Sequence, residues 1–138
     1  MGGYKPFSTN LTINGNNPLS KIILKCNGFM KQIDFVYANS QKFSFNVYPT
    51  TILTQYTIDL ANKEIISIGH WSGDIIDMLE FCTRDLTTSA ITCTKGCTTD
   101  KIPDEEFDFY EIVAFTGDFN SGFYNSLATF GFHYIGIL

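Results

Sequence analysis

The sequence predicts an all-β protein in which hairpin-based sheets wrap around a shared core. Its apolar periodicity gives short strands throughout and no convincing helix. A strand–turn–strand pattern occurs three times, at a spacing of about 45 residues, which is typical of an internal repeat. Asn, Thr, Ser, Gly and Phe are plentiful, while Ala, Leu, Lys and Glu are comparatively few, a composition that favours strands and turns over helices.

Each repeat consists of an apolar strand, a glycine-containing turn and a second apolar strand that opens with an aliphatic residue. The segments are 21–26, 27–32 and 33–37 in the first repeat, 64–71, 72–75 and 76–81 in the second, and 111–117, 118–126 and 127–132 in the third. Residues 41–48 and 55–60 alternate apolar and polar side chains, which predicts further strands with one face on the core. The 13 phenylalanines suit a core shared by three sheets.

Length and charge limit the classes of function. A chain of 138 residues predicts one domain, 1–138. The net charge of −5 and the lack of a basic cluster argue against nucleic acid as a partner. No apolar run is long enough for a membrane-spanning helix, so no membrane insertion is expected.

The four cysteines, Cys26, Cys82, Cys93 and Cys97, do not have the spacing of a zinc site. No metal is therefore expected, and disulfides or free thiols remain open, as does the pairing. The N-terminus lacks the apolar centre of a signal peptide, so either the protein is cytoplasmic or a leader has been removed. We expect a secreted or extracellular protein, with a cytoplasmic one as the alternative.

The most informative turn lies in the second repeat, where a glycine and two carboxylates stand between apolar strands. Its residues are Gly73, Asp74, Ile75, Ile76 and Asp77. A carboxylate has no donors and can accept hydrogen bonds from two sugar hydroxyls at once, while glycine lets the backbone approach a ligand closely. The turn therefore predicts carbohydrate binding.

These residues resemble the jacalin-related lectins, and the similarity is strongest in E-I-I-S-I…S-G-D-I-I-D-M-L-E-F of the middle repeat. The last repeat, with F-T-G and L…F-G-F, is similar to the family's closing strands. The resemblance implies a β-prism: three four-stranded Greek-key antiparallel sheets with pseudo-threefold symmetry. Residues 1–13 would add a strand to the sheet of the C-terminal strands. The implied function is non-catalytic binding of mannose-type or related sugars, without metal or cofactor.

The resemblance also implies which residues bind the sugar. In the mannose-binding members a G-x-x-x-D turn holds the ligand, and here it runs from Gly73 to Asp77, with the amides of Asp74 and Ile75 beside the carboxylate. In the first repeat Asp34 takes the place of Asp77, after a turn from Gly28 that is two residues longer.

The third repeat and the family's glycine-rich loop depart from the pattern. Ala128 stands where the aspartate is expected, and the candidate replacement contacts are Asn120, Tyr124 and Asn125. The Gly-Gly loop is missing, and the amide of Gly96 could replace it if Cys93 and Cys97 closed a small loop near the middle turn.

Two other functions compete with the lectin hypothesis. The lost aspartate and the missing Gly-Gly loop fit a β-prism protein-interaction module that no longer binds sugars. An enzyme is not expected, because a carboxylate pair on an open turn gains little burial to separate its pKa values. The expected partners are glycans or glycoproteins, with homodimerisation through the hydrophobic segment 130–138 left open.

Overall fold

The computed structural model of this chain describes residues 4–10, 18–46, 53–72, 76–98, 102–103, 105–108, 111–120 and 126–135. All regular elements in these ranges are strands, which confirms the all-β prediction, and none of the described residues forms a helix able to cross a membrane. The strands are β1 (Tyr4–Asn10), β2 (Leu19–Asn27), β3 (Phe29–Tyr37), β4 (Lys42–Phe45), β5 (Thr54–Asp59), β6 (Lys63–Ser72), β7 (Ile76–Asp85), β8 (Ile91–Cys97), β9 (Glu105–Asp108), β10 (Glu111–Asn120) and β11 (Ser126–Ile135).

The strands form three antiparallel sheets. The first sheet has the order β4-β3-β2-β5 and the second β8-β7-β6-β9. In both, three hairpin-connected strands are followed by a fourth that returns beside the first of them, which is a Greek-key order. The third sheet, β1-β10-β11, has three strands in the described residues, with the N-terminal strand beside the C-terminal hairpin as expected.

One hydrophobic core connects the three sheets. Phe35 of the first sheet and Phe81 of the second are fully buried, and Leu127 of the third sheet joins the same cluster with no exposed surface. The remaining buried members come from β2, β3, β5, β6 and β7 and from Leu60. Burial alternates along β2, so this strand contributes one of its faces to the core.

The long hairpins β2–β3, β6–β7 and β10–β11 share one pattern of irregularities. Each contains five consecutive residue pairs, 21–25 with 32–36, 67–71 with 78–82, and 114–118 with 129–133. In each, a register shift of one residue borders these pairs at both ends. At the open end the extra residue lies in the first strand, and near the hairpin tip it lies in the second strand. Each of the three long hairpins therefore carries two β-bulges.

The bulge near the tip follows a buried apolar residue in all three hairpins. That residue is Met30, Ile76 or Leu127, with exposed fractions of 0%, 7% and 0%. The extra residue comes next, and it is Lys31, Asp77 or Ala128. The bulge thus anchors each tip in the core and places the following residue at a defined point of the ladder. We call these three positions the tip-bulge positions.

Two disulfides link the strands, and their pairing corrects the hypothesis of a Cys93–Cys97 loop. Cys26 bonds to Cys97 and Cys82 to Cys93, so no cysteine is free. Cys93 and Cys97 both lie on β8. Four residues of extended strand separate their Cα atoms by about 13 Å, beyond the roughly 7 Å that a disulfide can span. All four thiols are used, which is consistent with an extracellular protein.

The two disulfides constrain the chain differently. Cys26–Cys97 joins the first sheet to the second over a separation of 71 residues, with 5.7 Å between the Cα atoms. Cys82 and Cys93 are direct cross-strand partners, 11 residues apart. The first bond therefore restricts the unfolded chain more, and it joins two sheets that share no strand pairing among the described residues.

We expect replacement of Cys26 and Cys97 by alanine to lower the free energy of unfolding by about 4 kcal/mol, against about 3 kcal/mol for Cys82 and Cys93, from the loop lengths. Urea denaturation of the two double variants measures both losses, and each variant is the control for the other. An equal or larger loss in the Cys82/Cys93 variant would contradict this ranking.

Candidate functional site

Asp77 is the tip-bulge residue of the β6–β7 hairpin. Ser72 pairs with Ile76 and Trp71 with Met78, which leaves Asp77 as the extra residue. The connection between the strands is therefore residues 73–75, and β7 begins at Ile76, which is where the repeat pattern places the second strand; Ile76 and Asp77 of the G-x-x-x-D sequence belong to this strand. Because Ile76 is buried, the chain at Asp77 is held from the core side.

The Asp77 carboxylate is half-buried. Burial raises its pKa above the ordinary aspartate value, because removing water disfavours the charged form. In the part of the chain that the structure describes, no side chain donates a hydrogen bond to this carboxylate and no cation pairs with it. It is thus a partly dehydrated acceptor at the tip of a hairpin.

The backbone of Asp77 is tied to the end of β8. The Thr98 N–H donates to the Asp77 carbonyl over 3.2 Å, and Cys97 is the cross-strand partner of Met78. The Cys26–Cys97 disulfide then connects this point to β2, one residue before the tip of the β2–β3 hairpin at Asn27–Gly28. The tips of the two hairpins therefore lie at the same end of the molecule. The contribution of Thr98 had no signal in the sequence.

Asp34 is not a site residue. It lies in the middle of β3 with no exposed surface, and Lys25 Nζ lies 2.9 Å from its Oδ2. The Gln32 side-chain amide donates to its Oδ1 over 2.8 Å. Burial alone would raise the pKa of Asp34, but hydrogen bonds from Gln32, Lys25 and Ser44 and the charge of Lys25 hold it below its usual range. This carboxylate is engaged in a buried polar cluster and is closed to ligands.

The ladder also corrects the equivalence drawn between Asp34 and Asp77. Asp34 occupies the third of the five pairs in its hairpin, opposite Ile23, and the residue at that place in the β6–β7 hairpin is Glu80. The counterpart of Asp77 is Lys31. The first turn is short rather than long, because Asn27 pairs with Phe29 and only Gly28, at φ +71°, lies between them.

Gly96 serves packing, contrary to its predicted role in a ligand loop. It lies within β8 opposite Leu79 and is buried. A Cβ at this position would be 3.3 Å from Leu24 Cβ and would overlap the end of that side chain. Glycine therefore allows β8 to approach β2 closely, where the first and second sheets meet.

The other predicted contacts, Gly73, Asp74, Ile75, Tyr124 and Asn125, lie outside the described residues. Among the predicted site residues that the structure describes, Asp77 alone keeps a geometry suited to a ligand. The described residues also contain no group of three His, Cys, Asp or Glu side chains that could hold a metal ion.

We expect Asp34→Ala to lower the free energy of unfolding by about 3 kcal/mol, because it leaves the ammonium of Lys25 without its partner. The double variant Lys25→Met/Asp34→Leu removes both charges and should recover most of this loss. Urea denaturation of wild type and both variants checks this. Equal destabilisation by the single and double variants would show that Asp34 stabilises the fold by something other than its ion pair with Lys25.

Asp77→Asn should have the opposite effect on stability. The raised pKa of Asp77 means that the folded state binds more protons than the unfolded state between about pH 3.9 and the folded pKa. The free energy of unfolding therefore falls as pH rises through that window, and asparagine removes this loss. We expect Asp77→Asn to be at least as stable as wild type at pH 7, with the difference shrinking toward pH 3.

Asp85→Asn is the matched control at the other end of β7. The backbone N–H groups of Thr88 and Thr87 donate to Asp85 and hold its pKa below the usual range. The ionised carboxylate therefore stabilises the folded state at neutral pH, and this stabilisation is lost as pH falls. This variant should be less stable than wild type at pH 7. Thermal unfolding from pH 3 to 7 checks both signs, and an Asp77→Asn protein less stable than wild type at pH 7 would show that the carboxylate serves folding.

Comparison with known proteins finds a solved structure with a similar fold. No model of a known protein family matches the sequence, and no curated protein matches it. A crystal structure of a prostate-specific WGA16 glycoprotein lectin, form II, aligns with a TM-score of 0.69 at 14% sequence identity. The alignment covers 99% of this chain and 93% of that chain. The chain therefore has an all-β, lectin-like fold.

Proposed function

We propose that this chain is a non-catalytic carbohydrate-binding protein that recognises mannose-type or related sugars through Asp77. One observation carries the proposal: a half-buried carboxylate with a raised pKa lies beside the β6–β7 turn, in a fold like that of a lectin. Neutral sugars present adjacent hydroxyls, which are donors that match the two oxygens of such a group.

The environment of Asp77 favours a hydroxyl-bearing ligand over a cation. Its carboxylate is partly stripped of water but, among the described residues, is not neutralised by a lysine or arginine. Hydrogen bonds from sugar hydroxyls would restore the lost solvation, and bonds to a charged acceptor contribute roughly 1.5–3 kcal/mol. The backbone of Asp77 is held by Ile76 in the core and by the Thr98 N–H, so little ordering is needed on binding.

The proposal also includes the fold around the site and the compartment in which the protein works. The three sheets form a β-prism with pseudo-threefold symmetry, and the ligand lies at the end where the β2–β3 and β6–β7 tips meet. No metal or cofactor takes part. The protein works outside the cell on glycans or glycoproteins, in a compartment where both disulfides persist.

The test is binding to a panel of immobilised glycans by wild type, Asp77→Asn and Asp85→Asn. Asparagine keeps the shape of aspartate but replaces one acceptor oxygen with a donor. We therefore expect Asp77→Asn to weaken binding by about 10- to 100-fold. Asp85→Asn changes the net charge equally, far from the turn, and should bind like wild type.

Two other results of the glycan-binding test would contradict the proposal. Sugar binding that persists in Asp77→Asn would move the site away from the β6–β7 turn. Failure of folded, multivalently presented wild type to bind any glycan would favour the interaction module that has kept the fold without the ligand.

A further inference from the structure

The three tip-bulge positions carry residues of different chemistry. They hold the ammonium of Lys31, the carboxylate of Asp77 and the methyl group of Ala128. These positions correspond in the ladder, because five residue pairs separate each from the bulge at the open end. A buried apolar residue precedes each of them, so at all three positions the backbone enters the bulge from the core.

The β2–β3 tip is unsuited to a sugar held by a carboxylate. Lys31 is a donor only, its exposed fraction is 7%, and its Nζ lies 5.4 Å from the centre of the Phe29 ring. The chain reverses there through Gly28 alone, which leaves no run of turn amides beside the tip-bulge position. Both parts of the recognition unit, the acceptor and the turn, are therefore missing.

The β10–β11 tip lacks the acceptor for another reason. Ala128 offers no side-chain hydrogen bond, whatever the five residues between the last paired positions, Asn120 and Ser126, contribute. The carboxylate thus occurs at one of three corresponding places. The neutral-sugar chemistry of Asp77 is not repeated at the other two tip-bulge positions.

We propose that, of the three tip-bulge positions, Asp77 alone forms a carboxylate-based sugar site, because the tip-bulge residue decides which hairpin binds. This inference rests on the proposed function. One such site cannot cross-link two glycans, so avidity through the tip-bulge position requires several chains presented together.

The test counts sites by amide-resolved NMR titration of the monomeric chain. The probes are the methyl glycosides of mannose, glucose, galactose and N-acetylglucosamine. With the sugar that binds, we expect one patch of shifting amides around Ile76, Asp77 and Thr98, with one saturation curve. Asp77→Asn should weaken this binding by the same factor of about 10- to 100-fold.

Lys31→Met is the matched control, since it keeps the length of a buried side chain at the corresponding position while removing its charge. It should leave the patch and the dissociation constant within about twofold of wild type, which is about 0.4 kcal/mol. If the variant folds poorly, Lys31→Gln serves instead.

Two or three patches at the hairpin tips, binding in Asp77→Asn as tight as in wild type, or a folded Lys31 variant that loses the sugar would overturn the single-site inference while leaving carbohydrate binding in place. If wild type binds none of the probes and no glycan of the panel, the proposed function fails and the inference fails with it. The two failures are thus told apart by wild type alone.

Discussion

The β-bulge near the tip of each long hairpin is the constraint on which the arrangement of this protein depends. In a regular ladder, residues alternate between core and outside, and the strand continues without an offset. One extra residue breaks that alternation after Met30, Ile76 and Leu127 and bends the strand where the tip leaves the core. The same device therefore anchors three tips and presents the residue that follows.

Two aspartates show how the same side chain serves opposite purposes. Asp34, at the centre of β3, is surrounded by Lys25, Gln32 and Ser44, and its pKa is lowered because the charged form is stabilised. Asp77 is only half-buried, yet its pKa is raised, since desolvation is not offset by a partner among the described residues. A carboxylate that the fold leaves poorly solvated is the one with binding energy still available to a ligand.

Much of the fold could be predicted from the sequence. Apolar alternation identified the β-strands, and the spacing of the repeats indicated three similar hairpins. The N-terminal strand was expected beside the C-terminal hairpin and lies there. The Cys26–Cys97 bond could not be predicted, because it joins residues 71 positions apart whose proximity follows from the packing of two sheets.

The site was predicted only in part. Ile33-Asp34 looks like Ile76-Asp77 as a dipeptide, and this likeness led to the wrong equivalence. The ladder aligns Met30-Lys31 with Ile76-Asp77, because the bulge determines the register and has no reliable sequence signal. Gly96 was also misread, since its need for space comes from Leu24 on another sheet. Asp77 could be singled out from the sequence because its glycine-containing turn and apolar flanks are local features, and its role as a sugar contact stays a proposal.

A crystal structure of the chain with a bound methyl glycoside would show directly whether Asp77 holds the sugar. We expect both carboxylate oxygens of Asp77 to lie about 2.5–3.0 Å from two adjacent hydroxyls of the sugar. We expect no sugar at the tips that carry Lys31 and Ala128. A sugar bound elsewhere, with the Asp77 carboxylate making no contact to it, would contradict sugar binding through Asp77.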